Sequence, residues 1–169
     1  MPDRLSLAPA VLYFTALGVA LTLIDLDVHR LPNALVLPSY PVLAVLLALA
    51  AGLTHDPSIL LRAGIGAAAL GLTYFAIAFA WPGGMGFGDV KFAGLVGAVL
   101  AAISFRVLVV GAAAAFLLGA VVGVVLMAAQ RRDRRSALPF GPFMVAGTLV
   151  SLFLGAPLAD TYLRLAVRA

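Results

Sequence analysis

Six stretches of this chain carry no Asp, Glu, Lys or Arg: 5–24, 34–54, 63–88, 92–105, 107–130 and 136–159. About 20 apolar residues carry an α-helix across the hydrocarbon core of a bilayer. All the stretches but 92–105 are that long. That fourth stretch becomes nearly long enough when its flanking Lys91 and Arg106 are counted, because such side chains reach back to the interface with their charge. The pattern predicts an all-α fold, a polytopic transmembrane bundle of about six membrane-spanning helices, in a single domain over residues 1–169. Only 11% of the residues are charged, against about 25% in a soluble domain, so the lipid bilayer is an expected partner. No nucleic-acid partner is expected. Residues 1–24 could pass for a signal peptide, but the apolar run is long for one and no small-residue cleavage site follows, so they read as the first helix. Glycine and alanine crowd "AGIGAAALG" and "GAAAAFLLGAVVG", a composition that lets membrane helices pack closely.

The basic cluster "RRDRR", 131–135, sets the expected orientation. By the positive-inside rule it is cytoplasmic. With six spans, the connections after the first and third helices share its side, and both termini lie outside. If the fourth segment only dipped into the membrane, Lys91 and Arg131–Arg135 would fall on opposite faces, so a full crossing is the better reading.

The chain has no cysteine and no glutamate, and its seven acids are all aspartates. Carboxylate chemistry is therefore confined to Asp3, Asp25, Asp27, Asp56, Asp89, Asp133 and Asp160. Asp25 and Asp27 directly follow the first apolar stretch, and an acid at such depth in a membrane is a functional candidate. Positions i and i+2 of a helix point to different faces, so only one of the two can face the bundle interior. Asp25 shares a face with Gly18 and Leu21. Pro32 restricts Leu31 to an extended conformation and closes the helix.

Asp89 lies in "GGMGFGDVK", 83–91, which is glycine-rich and charged between two apolar segments. Two spans separate it from Asp25, which returns it to the same membrane face. Two carboxylates held together cannot both ionise, so one keeps its proton. The charged one can then take a proton from water while the neutral one hydrogen-bonds a scissile carbonyl. Gly86 and Gly88 can adopt backbone angles closed to other residues and would let an extended substrate backbone approach the carboxylate. Other readings compete. A dinucleotide loop needs a preceding strand, and a P-loop needs Lys-Ser/Thr after the glycines. A plain flexible hairpin remains open. So does a cation site of three aspartates with His29, since oxygen ligands suit magnesium or calcium. A non-enzymatic transporter or assembly subunit using Asp25 and Asp89 as ion or proton ligands is the alternative function, though inverted repeats and broken helices are not evident.

Three segments resemble the type IV prepilin peptidase family, membrane aspartic peptidases of the GxGD type. "DLDVHRLPN" is similar to the family's first motif, with Asp25 followed six residues later by Leu31, then Pro32 and Asn33. "GFGDVK" matches the second, with Asp89 as the other aspartate, and "LPFGPFMVAG", 138–147, resembles the last. The resemblance implies an aspartic endopeptidase that cleaves the leader of prepilin-like precursors, of type IV pili or type II secretion, at the cytoplasmic face of a bacterial inner membrane. It implies Asp25 and Asp89 as catalytic residues. Gly86, Gly88, Lys91 and Asp27 are expected in the substrate-binding or loop region, with Asp27 orienting a basic leader. No metal and no cofactor are implied. Many relatives carry a further cysteine-containing region linked to methylation of the new N-terminus. This cysteine-free chain is expected to be the minimal peptidase without methyl transfer.

Overall fold

The computed structural model describes residues 5–28, 31–80, 85–128 and 140–168, with backbone alone at 127 and 155–168. It contains six helices: α1 (Ala8–Val28), α2 (Asn33–Thr54), α3 (Ser58–Ala80), α4 (Phe87–Ile103), α5 (Phe105–Ala128) and α6 (Gly141–Arg168). The helices α1, α2, α3 and α5 are long and apolar enough to cross a membrane, and α6 adds the apolar stretch Gly141–Leu154. The chain is a multi-pass membrane protein.

α4 is the hub. It packs against all five other helices, most extensively against α3. From Gly88 to Ile103 none of its residues is exposed. A helix apolar on every side is one buried on every side. Its 17 residues rise only about 25 Å, less than the hydrocarbon thickness, and burial explains why that suffices. From Gly88 onward the surrounding helices shield α4, so its length need not match the bilayer.

Small residues set how closely the other helices approach. A Cβ added at Gly66 of α3 would run into the Gly97 carbonyl and Ala101 of α4, and one at Gly97 into the Gly66 carbonyl. Gly94 makes room for the Tyr40 ring of α2, whose hydroxyl donates to the Lys91 carbonyl at 2.6 Å. Gly147 of α6 lies against Gly111 and Ala115 of α5, and Phe14 of α1 stacks on Phe92 of α4 at 5.6 Å. At Gly66, Gly97 and Gly147 the close packing is realised by contacts with facing carbonyls that any side chain would block.

Several helix ends depart from the charge-free stretches. α1 runs past Asp25 to Val28, α3 begins at Ser58 ahead of Arg62, and α4 begins at Phe87 ahead of Asp89 and Lys91. The nonapeptide expected as a loop is therefore half helix, with Gly83 and Gly84 outside the described residues. Charge marks a membrane edge, but caps end helices. Asp56 accepts hydrogen bonds at one oxygen from the Ser58 amide at 3.0 Å and the Ser58 hydroxyl at 2.5 Å, opening α3. His55, at φ 52°, closes α2 by donating its amide to Gly52 O, a left-handed cap. Arg62 reaches from α3 to Asp56 and to the Ala102 carbonyl near the end of α4, each at 3.4 Å.

These contacts fix the alternation. Arg62 joins the start of α3 to the end of α4, while the start of α4 lies at the other end of the bundle with Asp25. The start of α6 lies at this aspartate end, with Phe140 against Gly119 of α5 and Gly141 against Asp25. Arg131–Arg135 themselves lie outside the described residues.

Candidate active site

α1 presents Ala10, Phe14, Gly18, Leu21 and Asp25 to the interior. These positions recur every three or four residues, the spacing of one helix face, so the stripe that packs α1 delivers Asp25 into the bundle. Asp25 is only 3% exposed. Asp27, two positions on, is exposed. A set of three aspartates is thus not assembled here, and His29 lies outside the described residues.

Asp89 reaches the same place from α4. It is 6% exposed and occupies the first turn of the helix. Its Oδ2 accepts the Gly86 amide at 3.3 Å, while its own amide donates to the Gly86 carbonyl at 3.0 Å. A carboxylate at this position suits the positive end of a helix. Capping alone does not account for the residue, because Oδ1 is buried and has no hydrogen-bond partner among the described residues. Burying such an oxygen costs about 1–3 kcal/mol, and a fold tolerates that where the atom has chemistry to perform.

Gly141, the first residue of α6, completes the arrangement. A Cβ built there would stand 2.7 Å from Asp25 Oδ2. Leu31 Cδ2 lies 3.5 Å from the same point and Leu31 Cβ fills the space at Gly88 beside Asp89, so both carboxylates belong to one place in the bundle. The N-termini of α4 and α6 therefore converge on one buried pair of aspartates. Two helix N-termini offset part of the cost of holding negative charge away from water.

The glycines before Asp89 act differently from each other. Gly86 has φ −77° and ψ 146°, ordinary extended backbone, and is exposed. Gly88 is within α4 and is filled from outside: a Cβ there would meet Leu31 Cβ at 2.9 Å. Neither uses the glycine-only backbone angles expected from the sequence. Lys91 donates from Nζ to Asn33 Oδ1 at 3.0 Å, joining the second motif to the first.

Gly141 and Tyr74 are neighbours of the site that the sequence reading did not single out. The glycine stood in "LPFGPF" at the start of the last helix, and a small residue opening a helix was the available signal. Tyr74 of α3 is 1% exposed, packs against Phe116 and Phe140 at 5.3 and 5.7 Å, and feels the charge of Asp89. The contacts of Gly66 with Gly97 and of Gly71 with Gly94 fix an antiparallel register that sets Tyr74 level with Asp89. α3 continues six residues beyond it to Ala80, so Asp89 is recessed by roughly 9 Å from the end of α3.

Residues 12–127 match the type IV leader peptidase family. The chain is 29% identical over 164 residues to a prepilin leader peptidase/N-methyltransferase of Bacillus subtilis, covering 96% of this chain and 62% of that protein. Proteins of the same description from Pseudomonas aeruginosa and Aeromonas hydrophila are 29% and 30% identical, over 94% and 91% of this chain and 54% and 52% of their own lengths. The chain thus spans a little over half the length of these relatives. No solved structure matches it significantly. The chain belongs to the type IV leader peptidase family.

Proposed function

We propose that this member of the family is a membrane aspartic endopeptidase. It cleaves the leader of prepilin-like precursors at the cytoplasmic face of a bacterial inner membrane. The observation that carries the reading is the burial of Asp25 and Asp89, from different helices, at one end of the bundle around Leu31 and Gly141. Such a pair holds one proton between its members. One carboxyl donates that proton to the scissile carbonyl oxygen while the other takes a proton from water. The water oxygen adds to the carbonyl carbon and gives a neutral gem-diol. The amide nitrogen then receives a proton from the dyad, a gem-diol hydroxyl returns one, and the C–N bond breaks. The dyad ends with the single proton it began with.

The site's position supports the substrate class. A recessed dyad suits a cleavage point at the junction of a polar leader and an apolar helix. Helical hydrogen bonds shield a carbonyl, so the scissile segment binds extended. Exposed Gly86 offers it an approach free of side chains, while Leu31 already occupies the space beside Gly88. Exposed Asp27 is available to a basic leader. A cation site of three aspartates is less well supported, because Asp27 is exposed while Asp25 and Asp89 are buried.

The deciding measurement is cleavage of a prepilin-like peptide by purified protein in excess chelator. Chelator-resistant cleavage that Asp89→Asn abolishes is the expected result. Cleavage lost on chelation and restored by a divalent cation would assign the carboxylates to a metal instead. Cleavage persisting in Asp89→Asn would remove Asp89 from the chemistry.

A further inference from the structure

We propose that Leu31 is a positioning residue whose side chain sets the separation of the Asp25 and Asp89 carboxyl groups. The inference rests on the dyad reading above, but its geometry stands apart from any measured activity. Leu31 is 8% exposed although it lies in the connection between α1 and α2, where chain usually faces solvent. Pro32, at φ −70° and ψ 125°, caps α2, and the residue before a proline is held extended. The side chain is thereby turned inward from a stiff segment.

It meets both halves of the site. On one side, its backbone and Cβ fill the space that Gly88 leaves by lacking a side chain, with distances of 2.9 to 3.5 Å from a Cβ placed there. Gly88 directly precedes Asp89. On the other side, Leu31 Cδ2 stands 3.5 Å from a Cβ placed at Gly141, the same point that lies 2.7 Å from Asp25 Oδ2. One leucine thus wedges between the first turn of α4, which carries Asp89, and the first residue of α6, which backs Asp25.

The wedge is clamped from the α2 side. Asn33, two residues on, accepts from Lys91 Nζ, and Tyr40 donates to the Lys91 carbonyl. These bonds hold α4 against α2 and leave the Leu31 side chain to fix the remaining gap towards α6. A dyad that shares one proton is sensitive to its own spacing, because the repulsion that keeps the proton in place weakens with distance.

The chain has no cysteine, which permits a test without enzymology. Asp25→Cys and Asp89→Cys are combined, and the rate of cross-linking by a short bifunctional thiol reagent is measured in membranes. Adding Leu31→Ala should change that rate severalfold, whereas the volume-conserving Leu31→Met should leave it near the parent value. In the aspartate-bearing protein, Leu31→Ala should lower kcat more than it changes KM and shift the limbs of the pH profile, with Leu31→Met restoring both. Leu31→Val, too short to reach Gly141, replaces the alanine variant if that one fails to insert. Unchanged cross-linking in Leu31→Ala or Leu31→Val overturns the proposal, as does a loss of thermal stability with kcat and pH limbs unmoved. If Asp89→Asn still cleaves, the peptidase reading falls while the cross-linking arm still decides the role of Leu31.

Discussion

Gly141 stands so close to Asp25 that a Cβ on the glycine would lie 2.7 Å from the carboxylate Oδ2. The atom that must yield is the tip of a side chain, not backbone. Gly141→Ala should therefore leave folding largely intact and displace the carboxylate. A misplacement of about 1 Å at a reacting group costs on the order of 100-fold in rate. Peptide cleavage by the variant, compared with its melting temperature in detergent, checks this. Near-normal turnover would mean that Asp25 is free to move without consequence.

Asp25 and Asp27 make an internal control. Both are aspartates at the end of α1, but the first is buried and the second exposed. Asp25→Asn should reduce cleavage by roughly ten-thousand-fold, the scale of removing a member of a catalytic unit. Asp27→Asn should retain most activity and lose some preference for basic leaders. The reverse outcome would shift the assignment by two positions.

Glycines at the α3–α4 interface should split into two classes. Gly66→Ala and Gly97→Ala force a methyl into a facing carbonyl, and overpacking of that kind costs about 1–3 kcal/mol. Gly71→Ala would find Gly94 Cα at 3.8 Å, an ordinary contact. It should be neutral or stabilising, since alanine improves helix propensity by up to about 1 kcal/mol. Thermal melts of the three variants test the register directly.

At the opposite end of the bundle, the Ser58 hydroxyl holds the Asp56 carboxyl below its ordinary range, helped by the Ser58 amide and Arg62. A depressed value means the folded state prefers the ionised form. The contribution is complete above the ordinary value of 3.8 and is lost as pH falls through the folded-state value. Melting temperature of the wild type should therefore fall on acidification in that range, with a smaller fall in Asp56→Asn. Identical acid limbs would remove Asp56 from the loop's stability.

Apolar run lengths sufficed to read six helices, because a span needs an uninterrupted apolar length and this chain has few charges to confuse the pattern. The inward turn of Asp25 was legible for a similar reason: Gly18, Leu21 and Asp25 share a helix face at local spacing. What escaped was tertiary. Nothing local says that Gly88 is occupied by Leu31, or that Gly141 backs Asp25, since both depend on helices that meet only after folding. The start of α4 was misjudged because Asp89 and Lys91 read as the end of a span, whereas a carboxylate in the first turn favours a helix.

From Gly88 to Ile103 α4 is shielded by the other helices, and this stretch carries Asp89. When a bilayer is thicker or thinner than the hydrophobic stretch of a protein, exposed helices tilt or the membrane deforms to relieve hydrophobic mismatch. Those adjustments fall on the outer faces of the surrounding helices and leave the central one in place, held by Gly66, Gly94 and Gly97. The depth of Asp89 is therefore set by protein contacts more than by the membrane surface, and acyl-chain length should govern how substrate enters more than how it is cut.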